Sequence, residues 1–162
     1  MDTGPGIVTD NALEYGDALP NGGVLLGLDL GTRTIGIATC DAGWRFATAG
    51  KTIERSKFTK DCGKLREIVG ARSVAGIVVG LPRNMDGTEG PRAQASRAYA
   101  RNLSTALSLP VLLWDERWST SSAESAMIGQ DMSRAKRAVR IDSHAAAIIL
   151  QGAIDTLAGG GL

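Results

Sequence analysis

Apolar and polar positions follow two different spacings along this chain, and each change of spacing marks an element. Residues 24–29 and 34–40 are short, nearly continuous apolar runs on either side of a turn at 30–33, which predicts two adjacent antiparallel strands. Gly27 and Gly36 fall inside them, where a missing side chain permits close backbone approach or a bulge. A third strand is expected over 45–53, after a turn at Asp41, Ala42 and Gly43. Cys62, Leu65, Ile68 and Val69 then recur at helical spacing and predict a helix over 59–71. Residues 74–81 are almost uninterruptedly apolar, as in a central parallel strand covered on both faces. A loop of turn formers over 82–91 leads to a helix over 92–107 and a second buried strand over 110–114. A short helix over 119–127 follows Ser and Thr suited to an N-cap. The last helix, over 140–157, carries Ala145, Ala146, Ile149 and Ala153 as a narrow face of mostly small residues.

The resulting order, three strands and then alternating helices and strands, predicts an α/β fold. Its mixed five-stranded sheet has three antiparallel strands followed by two parallel crossover strands, with helices on both faces. There is no internal repeat and no linker, so a single domain is expected over 23–157. Residues 1–22, rich in Gly, Pro, Asp and Asn without a sustained period, read as a flexible acidic extension, and 158–162 as a flexible tail.

Composition narrows the class. A chain of 162 residues with 43% hydrophobic and 22% charged residues is long enough to bury a core and is not of the disordered type. Aromatics make up 4%, so that core rests on Leu, Ile, Val and Ala. No apolar stretch approaches the roughly 20 residues that span a bilayer, and the N-terminus lacks the pattern of a secretory signal. Cys40 and Cys62 form no metal or disulfide pattern and read as free thiols of a reducing compartment, which places the chain in the cytoplasm. The net charge of +1 hides an asymmetry: residues 1–22 carry −4 and the remainder +5, a mild basic excess compatible with a nucleic-acid partner.

Four acids stand where chemistry would gather. Asp29 ends the first apolar run, a place that packing explains poorly because an unpaired buried charge is costly. Asp115 and Glu116 end the last strand, and Asp142 opens the last helix. Parallel strands collect sites beyond their carboxyl ends, so Asp29 and the Asp115/Glu116 pair fall on one rim, and the Ala-rich face of the last helix lets Asp142 join them. Crowded carboxylates need a cation; oxygen ligands of this kind suit Mg²⁺ or Mn²⁺, and two such ions about 4 Å apart support phosphodiester hydrolysis by water. Strand parity sends Asp115 and Glu116 to opposite faces, so one of the two is the ligand, and the residues alone leave open which. Each acid also has a plainer role: Asp29 as a turn cap, Asp115 as a partner of Arg117, Asp142 as an acid at a helix start.

Cations gather nearby. Arg134, Lys136, Arg137 and Arg140 precede Asp142, while Arg33, Arg83 and Arg92 flank the first turn and the glycine-rich loop; together they form a candidate phosphate-contacting surface. His144, two residues after Asp142, points to another side of its helix and suits a packing or surface role. No Ser/His/Asp set is recoverable and neither cysteine has a base partner, which argues against covalent nucleophilic catalysis.

Four stretches occur in an order and spacing that is similar to one family: Gly27–Thr32, Val79–Pro91, Asp115–Arg117 and Ile141–Ala146. The chain resembles the YqgF (RuvX) family, relatives of the RuvC-type resolvases in the ribonuclease H-like superfamily, over about residues 23–157. The resemblance implies a ribonuclease H-like fold and a metal-dependent nuclease associated with maturation of the 5′ end of pre-16S ribosomal RNA. Resolution of Holliday junctions is the alternative proposed for such proteins. It carries the family's metal-binding acids to Asp29, to Glu116 in preference to Asp115, and to Asp142. Trp118 departs from the family pattern without touching a proposed ligand.

Three functions are thereby set against one another. The first is a nuclease using water activated between two Mg²⁺ or Mn²⁺ ions at Asp29, Glu116 and Asp142, acting on pre-ribosomal RNA or on branched DNA, as a monomer or homodimer. A non-catalytic RNA-binding ribosome-assembly factor on the same fold is the second. The third takes Asp29–Thr32 as the phosphate loop of an ATPase related to actin and sugar kinases, which bind nucleotide between two such domains where this chain has room for one.

Overall fold

The computed structural model describes residues 6–20, 22–116 and 134–159, with the side chains of the final helix described from His144 onward. Its elements are β1 (Val8–Thr9), α1 (Ala12–Ala18), β2 (Val24–Leu30), β3 (Thr34–Cys40), β4 (Ala47–Glu54), α2 (Phe58–Arg72), β5 (Val74–Leu81), α3 (Pro91–Leu107), β6 (Val111–Asp115) and α4 (Arg134–Ala158). The strands form one sheet in the order β1-β6-β5-β2-β3-β4. The β2–β3 and β3–β4 pairs are antiparallel, whereas β2–β5, β5–β6 and β6–β1 are parallel. The turn between β2 and β3 closes with the Gly31 N–H donating to the Thr34 carbonyl at 2.8 Å; a Cβ on Gly31 would stand 2.9 Å from that same oxygen.

Period-2 alternation along the strands divides the core into two layers. Leu26, Leu28, Ile77, Val79 and Leu113 face α2 and α3, where Leu65, Ala93, Tyr99 and Leu103 meet them. Leu25, Val78 and Leu112 face α4 through Ala146, Ile149, Leu150 and Ala153. The small-residue face does what its spacing promised. Gly27 lies under α4 so closely that a Cβ there would be 2.8 Å from Leu150 Cβ and 3.1 Å from the Ala146 carbonyl.

Three expectations need correction. The sheet has six strands among the described residues rather than five, because Val8 and Thr9 add a parallel strand beside Val111 and Leu112. Two residues are too few to show a period. The N-terminal stretch expected to be flexible is folded over residues 6–19. Asn11 caps α1 by accepting the Glu14 N–H at 3.0 Å, and Tyr15 is fully buried, donating its hydroxyl to the Ile77 carbonyl at 2.9 Å. Gly76 makes room for it, since a Cβ there would be 2.5 Å from the Tyr15 hydroxyl. The last helix begins at Arg134 instead of 140, as the good helix formers Arg134, Lys136 and Arg137 allow. The helix expected over 119–127 lies outside the described residues.

Candidate functional site

Strands β2, β5 and β6 are parallel neighbours and end on one rim. Val79 sits beside Leu28, and Gly80 and Leu81 sit beside Trp114 and Asp115. Parity does the rest. Leu28 and Leu30 face α2 and α3, so Asp29 between them turns to the α4 side. Glu116, one step past β6, turns to that side too and crosses the sheet over Gly80: a Cβ on Gly80 would collide with Glu116 Oε1 and lie 2.7 Å from Ile149 Cδ1. The Glu116 and Asp29 carboxyls share a hydrogen bond. Burial first, then that bond and the charge of Asp29, push the Glu116 carboxyl up to about 8, against an opposing pull from Arg92. Two carboxyls in this state hold a proton between them because both cannot ionise at close range without a cation.

Asp115 is almost fully buried on the opposite face, where its Oδ2 is 3.6 Å from Arg83 Nη1. The structure therefore brings Glu116, and not Asp115, against Asp29. Arg83 also donates to Glu89 at 3.3 Å and to Asp10 at 3.1 Å, while Arg97 grips Glu89 at 2.6 and 2.7 Å. The Arg97 hydrogen bond, with the charge of both guanidiniums, holds the Glu89 carboxyl below its ordinary range. Arg83 is thus an ion-pair hub that pins the loop after β5 to the N-terminal segment, a different use from the phosphate contact expected of it.

Arg92 is exposed at the start of α3 and donates to the Leu30 carbonyl at 3.3 Å. Arg55, just past β4, donates to the Gly31 carbonyl at 2.6 Å and lies 5.1 Å from the centre of the Tyr99 ring. Tyr99 in turn donates at 3.2 Å to Asp61, a fully buried carboxylate that also accepts from the Ser56 backbone N–H at 2.9 Å and hydroxyl at 3.1 Å. Two guanidiniums thereby hold the two carbonyls that follow Asp29. A concavity of about 170 Å³ opens between them.

The remaining candidates are placed as follows. Arg33 is exposed in the β2–β3 turn, its carbonyl accepting the Arg55 N–H at 2.8 Å. The side chains of Arg134, Lys136, Arg137, Arg140 and Asp142 lie outside the described residues. His144 is exposed. Among the described residues no three His, Cys, Asp or Glu side chains cluster as a metal site. Gly80, Arg55 and the Asp61–Tyr99 pair were not picked out from the sequence. Gly80 carried the one usable signal, a glycine inside a strand, which marks close approach by another group.

The sequence profile of the RuvX family, described as Holliday junction resolvase, matches residues 23–156. The chain belongs to this family. Two relatives from Novosphingobium aromaticivorans and Sphingopyxis alaskensis, each named "Putative pre-16S rRNA nuclease", resemble this RuvX chain at 66% identity over 94% of it and 98% of the relative, and at 60% over 93% and 99%. Among solved structures, Thermus thermophilus RuvC in complex with a Holliday junction substrate shares the fold. It aligns over 86% of the RuvX chain and 97% of its own length with a TM-score of 0.51 at 12% identity. The ribonuclease H-like α/β architecture expected from the sequence is the one observed. No helix among the described residues of this RuvX chain is long and apolar enough to cross a membrane.

Proposed function

We propose that the chain is a divalent-metal-dependent nuclease that hydrolyses phosphodiester bonds of structured RNA, with the 5′ end of pre-16S ribosomal RNA as its substrate. The observation that carries this reading is the Asp29–Glu116 carboxyl pair at the rim of β2, β5 and β6. The names of the relatives support the RNA assignment. The donor chemistry fits Mg²⁺ or Mn²⁺: both groups offer hard oxygen ligands, and both are acids that must share a proton unless a cation offsets their charges. Asp29 and Glu116 would hold the metal, with Asp142 as the third ligand. Bound there, such a metal would supply Lewis-acid activation of a water and charge stabilisation at the leaving oxygen of the phosphodiester. The protein's own contribution is to hold the carboxyls in register. Gly80 lets Glu116 reach Asp29, and the guanidiniums of Arg55 and Arg92 fix the turn behind it. We place the protein in the cytoplasm, a reading supported by Cys40 and Cys62 being free and buried.

The test compares a precursor 16S RNA fragment and a four-way DNA junction, each with Mg²⁺ or Mn²⁺ and with chelator. Wild-type protein should cleave the RNA only with metal, and Asp29→Asn should lower the rate about 100-fold or more, the loss of several kcal/mol of Lewis-acid stabilisation, with its circular dichroism unchanged. Cleavage that survives chelator, or a fully active Asp29→Asn protein, refutes the reading. Cleavage of the junction alone moves the substrate to branched DNA, in keeping with the family's description.

A further inference from the structure

We propose that the concavity bounded by Leu30, Gly31, Thr32, Arg55, Arg92 and Ser96 is a backbone-phosphate subsite, holding a phosphodiester that neighbours the one cleaved. The inference rests on the nuclease reading and assigns Arg55 a role that the charge pattern of the sequence did not suggest.

Four observations converge on it. Arg55 and Arg92 line one concavity from opposite elements, the end of β4 and the start of α3. Neither has a carboxylate within ion-pair distance among the described residues, whereas Arg83 and Arg97 are matched by Glu89, Asp10 and, for Arg83, Asp115. Each of the two guanidiniums gives a single bond to the turn, Arg55 to Gly31 and Arg92 to Leu30, although the group carries five donors in a planar fork suited to phosphate. The volume of about 170 Å³ is below the roughly 300 Å³ at which small-molecule sites begin, so it suits one group of a longer polymer rather than a whole nucleotide. The subsite also lies next to the chemistry. Its floor, Leu30 and Gly31, directly follows Asp29, and Arg92 is near enough to act on Glu116. A polymer whose phosphate occupies this subsite has an adjacent segment of backbone over the carboxyl pair.

The test is a binding experiment on the full chain in chelator, with a short fluorescent RNA hairpin bearing a single-stranded 5′ tail, titrated over a series of KCl concentrations. The variants are Arg55→Gln, Arg92→Gln, the double variant and Arg101→Gln, the last an exposed arginine further along α3. The double variant should weaken binding about 10-fold at low salt and reduce the slope of log Kd against log salt by about 0.7–0.9, the contribution of one phosphate. Arg101→Gln should leave the slope unchanged. Because Arg55 also packs on Tyr99, Arg55→Lys is the check on folding: it keeps the charge and should restore most of the slope, which a purely structural role does not predict. A double variant with wild-type affinity and slope, in a protein whose wild type binds the hairpin and whose Asp29→Asn form no longer cleaves, overturns the subsite and leaves the nuclease reading standing. A wild type that neither binds nor cleaves RNA overturns both.

Discussion

Replacing Glu116 with Gln should stabilise the metal-free protein progressively more as pH rises from about 4.5 to about 8, and no further beyond it. The carboxyl has an ordinary value of 4.5 and is pushed up to about 8 by burial and by Asp29. A group whose value is higher in the folded state contributes stability that is fully present below its unfolded value and is lost as pH rises through the folded one, here between 4.5 and about 8. The span sets a ceiling of about 5 kcal/mol at 1.36 kcal/mol per pH unit. Glu116 is only partly buried and water reaches the rim, so about 2–3 kcal/mol is the figure to expect at about pH 9. Gln donates the same hydrogen bond to Asp29 without ionising, and so escapes the loss. In EDTA the two proteins should melt together at about pH 5, and at about pH 9 the variant should melt about 5–10 °C higher, given the 2–4 °C per kcal/mol of a domain this size. Adding Mn²⁺ should then raise the wild-type melting temperature and leave the variant's nearly unchanged, because a ligand that binds only the folded state stabilises it by an amount that grows with the logarithm of its affinity. A difference between the two proteins that is independent of pH, or a wild type that is the more stable at about pH 9, refutes the shared proton.

Two further expectations follow from close approaches. Gly80→Ala places a methyl where Glu116 crosses the sheet and 2.7 Å from Ile149 Cδ1, so cleavage should fall at least about 10-fold while overpacking costs about 1–3 kcal/mol of stability; wild-type rates in a folded Gly80→Ala protein would refute the crossing. Tyr15→Ala removes a fully buried side chain from the N-terminal segment and should cost about 3–5 kcal/mol in urea unfolding, whereas a loosely attached extension predicts no change.

The sequence was most readable where periodicity is long. The apolar runs of β2, β3 and β5 are visible because each spans seven or more residues buried on both faces, and the small face of α4 because it recurs at helical spacing. Strand parity separates Asp115 from Glu116 and the resemblance prefers Glu116; the register of β6 with β5, which puts Trp114 beside Gly80, then carries Glu116 across it. The N-terminal segment is hidden in the sequence for a local reason. A two-residue strand and a seven-residue helix show no period, and Tyr15 is the one buried residue of that helix. Arg55 was overlooked because nothing near it in sequence marks it out. Its importance arises from the fold, which carries the end of β4 back over the turn after Asp29.

The most recognisable stretch of the chain, the loop after β5, does its work at one remove from the carboxyl pair. Asn84 donates twice across it, its backbone N–H to the Thr88 carbonyl at 2.8 Å and its side-chain amide to the Thr88 hydroxyl at 2.9 Å, while Gly87 takes a left-handed φ of 89° that disfavours other residues. Glu89 then fastens the loop to Arg83 and Arg97, and Gly90 and Pro91 start α3 so that Arg92 stands beside Leu30. These residues are specific because together they build a rigid bracket. With Arg83 and Arg97 spent on that bracket, the cationic groups left to meet a polyanion among the described residues of this rim are those of Arg33, Arg55 and Arg92. They run along the turn that follows Asp29, and on the subsite proposed above a nucleic-acid backbone contacting them would pass the carboxyl pair.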